Sequence, residues 1–138
     1  MDDLELIPPD DQSASVILEG DELLRVVGTS HYQDALLALS GRVADEEIRV
    51  EKVATLTPEP DNPHDPHAIA VHIDGHLVGY LSRDENQRWG DVVKEGNQPI
   101  GTEAMIAGRG GTTGLGVFLR VPTPTEARAQ LGIRPGSI

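Results

Sequence analysis

Cysteine is absent from the 138 residues, which excludes disulfides and thiolate metal ligands. Basic residues are scarce: Lys and Arg number 11 against 23 Asp and Glu, a formal charge of −12. That balance argues against a broad electrostatic nucleic-acid surface, because neutralised phosphates dominate such affinities. Aromatic side chains are limited to Tyr32, Tyr80, Trp89 and Phe118. No apolar run approaches the roughly 18 residues of a membrane-spanning helix. The opening MDDLELIPPD lacks the basic region and apolar stretch of a signal peptide. The sequence therefore predicts a cytoplasmic protein without membrane contact.

What remains is globular in character. Hydrophobic residues make up 38% of the chain, which at this length suits one domain with a modest core. The acid excess is uneven. Residues 1–20 hold six acids and no Lys or Arg, residues 21–122 hold 16 acids against nine bases, and residues 123–138 hold one acid and two bases. This divides the chain into an acidic flexible N-terminal segment (1–20), a folded domain (21–122) and a short C-terminal helix and tail (123–138). Within the first segment, Val16, Ile17 and Leu18 have the apolar character to dock on the domain.

The domain is organised around Pro58 to Leu81, PEPDNPHDPHAIAVHIDGHLVGYL. Pro60, Pro63 and Pro66 alternate with Asp61, Asn62, His64, Asp65 and His67. Each proline fixes its own φ and pushes the preceding residue towards extended geometry. The result is a stiff loop that holds polar side chains in place. Ala68 to Ile73 then alternates as a strand with one buried face, and Asp74-Gly75 predicts a hairpin with the return strand His76 to Leu81.

Elsewhere the patterns are shorter. Leu23 to Gly28 reads as a first strand and Tyr32 to Ser40 as a helix stopped by Gly41. Arg49 to Leu56 reads as a strand in which Val50 and Val53 fall out of phase, which predicts a bulge. Arg83 to Glu95 fits a helix with Trp89, Val92 and Val93 inward, weakened by about 1 kcal/mol at Gly90. Ile100 to Ala107 and Leu115 to Val121 read as strands. The intervening GRGGTTGLG has no Lys for a Walker loop and joins strand to strand, so it reads as a hairpin tip. Thr123-Pro124-Thr125-Glu126 has the form of a capping box opening a helix to Leu131, with Gly132 as its stop. These elements predict a mainly β fold: an OB-like, six-stranded, partly open β-barrel with two short inserted helices.

Candidate chemistry is sparse. His31, His64, His67, His72 and His76 with Asp61 and Asp65 raise a metal site, but loop spacing gives them no common face and no His-Glu-x-x-His pair is present. Ser30, His31 and Asp65 raise a nucleophile and base, but no nucleophile elbow surrounds Ser30. Neither a metal, a cofactor nor an enzymatic activity is expected. Asp61, Asn62 and Asp65 also suit plain turn residues that bond nearby backbone amides. The alternative is recognition: a stiff loop with a carboxylate and flat imidazoles suits a nucleotide end, where a ring stacks on a base for about 1–3 kcal/mol.

VVGTSHYQDAL (Val26–Leu36), PEPDNPHDPHAIAVHIDGHLVGYLSRD (Pro58–Asp84) and the closing strands together resemble the HIRAN domain, over roughly Leu23 to Pro122. The resemblance implies an OB-like barrel of about six strands, found fused to DNA-translocating remodelling helicases and as small stand-alone proteins. It further implies capture of the 3′ end of single-stranded DNA. Carried over by position, Asp65 would accept the hydrogen bond of the terminal 3′-hydroxyl, and Tyr32 would pack beside the last nucleotide. His31 and His64 take the places of end-contacting tyrosines. Asn62 lies at a polar contact or loop-bracing position, Tyr80 on the pocket floor, and Arg83 at a phosphate contact. Ser30 replaces a phosphate-binding Arg and Asp61 an Asn, so weak DNA binding is expected.

Two functions follow. The first is a non-enzymatic module for single-stranded DNA 3′-hydroxyl ends in repair or replication, nucleoid-associated when bound, with a DNA-repair or helicase protein as further partner. The alternative is a protein-interaction or adaptor domain that has lost DNA binding.

Overall fold

The computed structural model describes residues 16–41, 47–96, 99–109 and 114–132. In chain order these form β1 (Val16–Leu18), β2 (Glu22–Arg25), a 3-10 turn (Thr29–Tyr32), α1 (Gln33–Ser40), β3 (Glu47–Pro58), β4 (Ile69–Ile73), β5 (His76–Tyr80), α2 (Arg83–Gly96), β6 (Ile100–Arg109), β7 (Gly114–Val121) and α3 (Pro124–Leu131). Six strands hydrogen-bond antiparallel in the order β2-β7-β6-β3-β4-β5. The two outer strands then meet. Val27 donates to Tyr80 O at 2.8 Å and Tyr80 donates to Val27 O at 2.9 Å, a one-pair seam that turns the sheet into a partly open barrel. The OB-like architecture expected from the sequence is present.

A seventh strand joins it. β1 runs parallel to β6, Val16 opposite Ile100 and Leu18 opposite Thr102, just past the last β6–β7 pair at Glu103 and Arg120. The apolar triplet thus docks where β7 leaves β6 without a partner, and Leu18 becomes fully buried. Gln130 of α3 secures the next residue by exchanging two hydrogen bonds with the Glu19 backbone, at 2.7 and 2.9 Å. Arg128 of α3 also pairs with Glu95 of α2.

Local signals set most element ends. Asp74 and Gly75 both take positive φ, 51° and 83°, the turn that matches the twist of the β4–β5 hairpin. Thr123 and Glu126 form the reciprocal capping box of α3, with Pro124 in its first turn and Gly132 closing it. The expected bulge in β3 is absent. β3 pairs with β6 without interruption from Glu47 to Leu56. Val50 points to the core side and Val53 to the outer face, where it is 43% exposed, so the broken phase records an apolar residue on the outside. The irregularity lies in the hairpin instead: Val71 faces Gly79 and His72 faces Leu77, leaving Val78 as the extra residue.

The core fills the barrel from all sides. Ile48, Ile69, Val71, Ile73, Val78, Ile106, Val117 and Leu119 are each at most 2% exposed, and Trp89 of α2 and Leu36 of α1 close over them. The segment 110–113 at the β6–β7 tip lies outside the described residues. No helix among the described residues is long and apolar enough to cross a membrane.

His72 is one of two ionisable groups among the described residues that burial clearly disturbs. Its Nδ1 lies 3.4 Å from Thr57 Oγ1. Burial holds its pKa below the ordinary 6.5, partly offset by the Glu59 charge. The unfolded chain therefore takes up the proton first, so stability is full above pH 6.5 and falls as the pH drops through the lowered folded value. We expect wild-type melting temperatures to decline from about pH 6.5 towards pH 5, before carboxylate protonation dominates. His72→Gln should flatten that part of the profile. An unchanged slope in the variant would remove His72 as its source.

Candidate functional site

The β3–β4 loop, residues 59–68, is built by its own side chains. Asn62 accepts from the backbone amides of His64 at 2.8 Å and Asp65 at 3.2 Å through Oδ1. Asp65 accepts from the His67 amide at 2.8 Å through Oδ1. These are the local turn bonds expected of Asn and Asp among prolines. Backbone bonds from Asn62 to Glu59 O and from Ala68 to Asp65 O, both 3.0 Å, complete the fold of the loop.

Two contacts then tie the loop to the barrel. Glu59 Oε1 accepts from Asn62 Nδ2 at 3.0 Å and from Tyr80 Oη at 3.1 Å. Asn86 of α2, 5% exposed, donates its Nδ2 to Asp65 Oδ2 at 3.4 Å. A continuous polar chain thus runs from Tyr80 through Glu59, Asn62 and Asp65 to Asn86. Asp65 is half-buried and uses both oxygens. A carboxylate has roughly four lone-pair sites, so further acceptor capacity remains.

The other segment that carries expected site residues is the 3-10 turn. Gln33 clamps it to β7 by accepting from Leu115 N at 2.7 Å and donating to Leu115 O and Thr29 O, both at 2.9 Å. His31 is exposed and meets the Tyr32 ring edge-on, centroids 6.3 Å apart at 78°. The Tyr80 phenol is pushed up to about 12, first by burial, then by the hydrogen bond and charge of Glu59, with smaller contributions from Tyr32.

The structure therefore joins Asn62, Asp65 and Tyr80 through one hydrogen-bonded network, while Tyr32 contributes to the Tyr80 electrostatics and meets His31 edge-on. His64 enters through its backbone amide, and its ring is exposed. Arg83 stands exposed at the first position of α2 and makes no ion pair among the described residues. Ser82 accepts from the Glu85 amide at 3.3 Å and so caps that helix. Ser30 and Asp61 are exposed. Sequence reasoning missed Glu59, Asn86 and Gln33. Glu59 carried one signal, its place between Pro58 and Pro60; the other two act across 21 and 82 residues of chain, which no local pattern displays. No three metal-ligating side chains among the described residues converge on one point.

The phenol shift is directly measurable. We expect the absorbance titration of the wild type, after subtraction of Tyr80→Phe, to show a phenol ionising only near pH 12. A difference curve centred near the ordinary value of 10 would mean that the phenol is neither buried nor paired with Glu59.

The HIRAN domain sequence profile matches residues 23–121. Among solved structures, the chain is similar to the crystal structure of the HIRAN domain of human HLTF, with 16% identity over 82% of this chain and 87% of that one, TM-score 0.41. A Lactobacillus plantarum protein gives 20% identity over 73% and 93%, TM-score 0.42. The NMR structure of the HLTF HIRAN domain gives 18% over 81% and 84%, TM-score 0.39. A search of the curated proteins finds no match.

Proposed function

Because the chain belongs to the HIRAN domain family, we propose that it is a non-enzymatic module that captures the 3′-hydroxyl end of single-stranded DNA. The family is one of DNA-binding modules; the end preference and the repair or replication setting, with a helicase or repair protein nearby, are our reading. One observation carries it: Asp65 is fixed at both oxygens yet half-exposed, in a loop braced by Glu59 and Asn62 against Tyr80. Such a carboxylate accepts a hydroxyl proton without reorganising, and repels a terminal phosphate.

The electrostatics set the strength. Arg83 is the one base of the proposed site, so few counterions are released on binding. The logarithm of affinity should fall with the logarithm of salt by only about −0.7 per phosphate contact, with one or two contacts in all.

Fluorescence anisotropy at low salt tests the reading. Oligonucleotides ending in a 3′-hydroxyl should bind at least about tenfold more tightly than the same strands ending in a 3′-phosphate, a difference of about 1.4 kcal/mol. Asp65→Ala should abolish that preference. Equal affinity for the two ends would reject hydroxyl capture. Failure of every oligonucleotide would favour the adaptor reading, which the domain's 16 acids against nine bases support.

A further inference from the structure

On the outer face of the sheet, cross-strand pairing places two rows of side chains side by side. The first row is Leu23, Arg120, Glu103 and Val53, on β2, β7, β6 and β3 in turn. The second is Arg25, Phe118, Met105 and Glu51 on the same strands. Register partners share a face, so all eight point the same way. All of them except Arg25 line a shallow depression of about 450 Å³, together with Lys52 and Ala104.

This face is unusual in composition. Leu23 is 62% and Val53 43% exposed, two of the four exposed large apolar side chains among the described residues. Phe118 lies against Gly116, 3.5 Å from where a Cβ would stand, so its ring rests across the sheet. Both arginines sit on β2 and β7, and both glutamates on β6 and β3. These eight side chains therefore divide into a basic half and an acidic half with apolar residues in each, and Lys52, which also lines the depression, is already paired with Asp74. The balanced charge of the face gives nucleic acid no net attraction.

We propose that this face is where a second copy of the chain docks, about a twofold axis parallel to the strands and lying between β6 and β7. That operation exchanges β6 with β7 and β2 with β3 while keeping each row in place. Arg120 then faces the second copy's Glu103, and Leu23 its Val53. Arg25 faces the second copy's Glu51, and Phe118 its Met105. Every charge meets its opposite and every apolar side chain meets another. An isologous interface requires this self-complementarity. A twofold axis across the strands instead lays β6 over β6 and β7 over β7: between the rows it sets each charge over an apolar side chain, and along a row it sets like charges together. The aligned arrangement is also the common one for two stacked sheets. Arg120 and Glu103, 54% and 60% exposed, sit 3.9 Å apart within one chain, a loose pair free to exchange partners.

None of these residues belongs to the end-binding site, so the dimer stands or falls separately from it. Sedimentation velocity over a range of concentrations should show a monomer–dimer equilibrium for the full chain. The variants Arg25→Glu/Arg120→Glu and Glu51→Arg/Glu103→Arg each set like charges opposite one another. Each alone should weaken association at least about a hundredfold, since such juxtaposition costs several kcal/mol. Mixed in equal amounts, the two variants should recover a heterodimer. Circular dichroism melts close to wild type would show that both fold. A wild type monomeric at every concentration, indifference to charge reversal, or failure of the mixture to associate would each overturn the proposal. So would single-stranded oligonucleotide shifting the NMR signals of Phe118 and Met105 in a monomeric chain.

Discussion

Gly79→Ala should open the barrel at its seam, costing about 3 kcal/mol or more and lowering the melting temperature by on the order of 10 °C. A Cβ at this position would stand 2.5 Å from Val26 Cγ1 and 2.6 Å from Val27 O. Val26 could shift its side chain, but Val27 O is backbone, and it accepts the Tyr80 amide at 2.9 Å. Relief of the clash therefore requires separating the strands that close the sheet. The glycine also has φ of +154°, a conformation that L side chains rarely adopt. The consequence reaches the site, because Tyr80 is the next residue and its phenol meets Glu59. In Gly79→Ala the Tyr80 ionisation should fall from about 12 towards the ordinary value. Val78→Ala supplies the comparison: it empties part of a fully buried position and lowers stability, yet keeps the seam and the Tyr80 ionisation. If both variants lose stability alike and neither moves the phenol, the seam does not position Tyr80.

This seam also shows what the sequence could and could not display. The return strand with its glycine before Tyr80 was legible as a strand, whereas the need for glycine there comes from Val26 and Val27, residues 52 or more positions earlier that pair only once the barrel closes. The Asp74-Gly75 turn, the Thr123 capping box and the inward Trp89, Val92 and Val93 were legible because each depends on neighbours within a few residues. Val53 misled for the opposite reason. Its exposure reflects the outer row it shares with Leu23, so a local reading took it for a bulge. β1 is only three residues long and exists because β6 outruns β7, a fact of the sheet and not of Val16 to Leu18. In the site, the prolines and the Asn62 and Asp65 turn bonds were local, but Tyr80 and Asn86, which tie the loop to the barrel, act across 21 residues.

Glu59→Ala gives the sharpest test of that loop, because bracing and simple electrostatics predict opposite signs. If only net charge governed DNA affinity, deleting an acid from this acidic domain would strengthen binding. If Glu59 instead fixes the loop, its loss leaves Tyr80 Oη and Asn62 Nδ2 without their shared acceptor, now 3.1 and 3.0 Å away. Hydrogen bonds to a charged group contribute about 1.5–3 kcal/mol. Freed from Glu59, the Asn62 side chain no longer holds the His64 and Asp65 amides in one arrangement, and the Asp65 carboxylate loses its fixed position. We expect Glu59→Ala to weaken binding of a 3′-hydroxyl oligonucleotide at least about tenfold. The Tyr80 ionisation should fall below about 12 without reaching the ordinary value, because burial is its larger cause. Glu59→Gln keeps an acceptor and removes the charge, so it should retain most of the affinity while lowering the phenol part of the way. Tighter binding by Glu59→Ala would show that the carboxylate acts as a repelling charge and that the loop holds its shape without it.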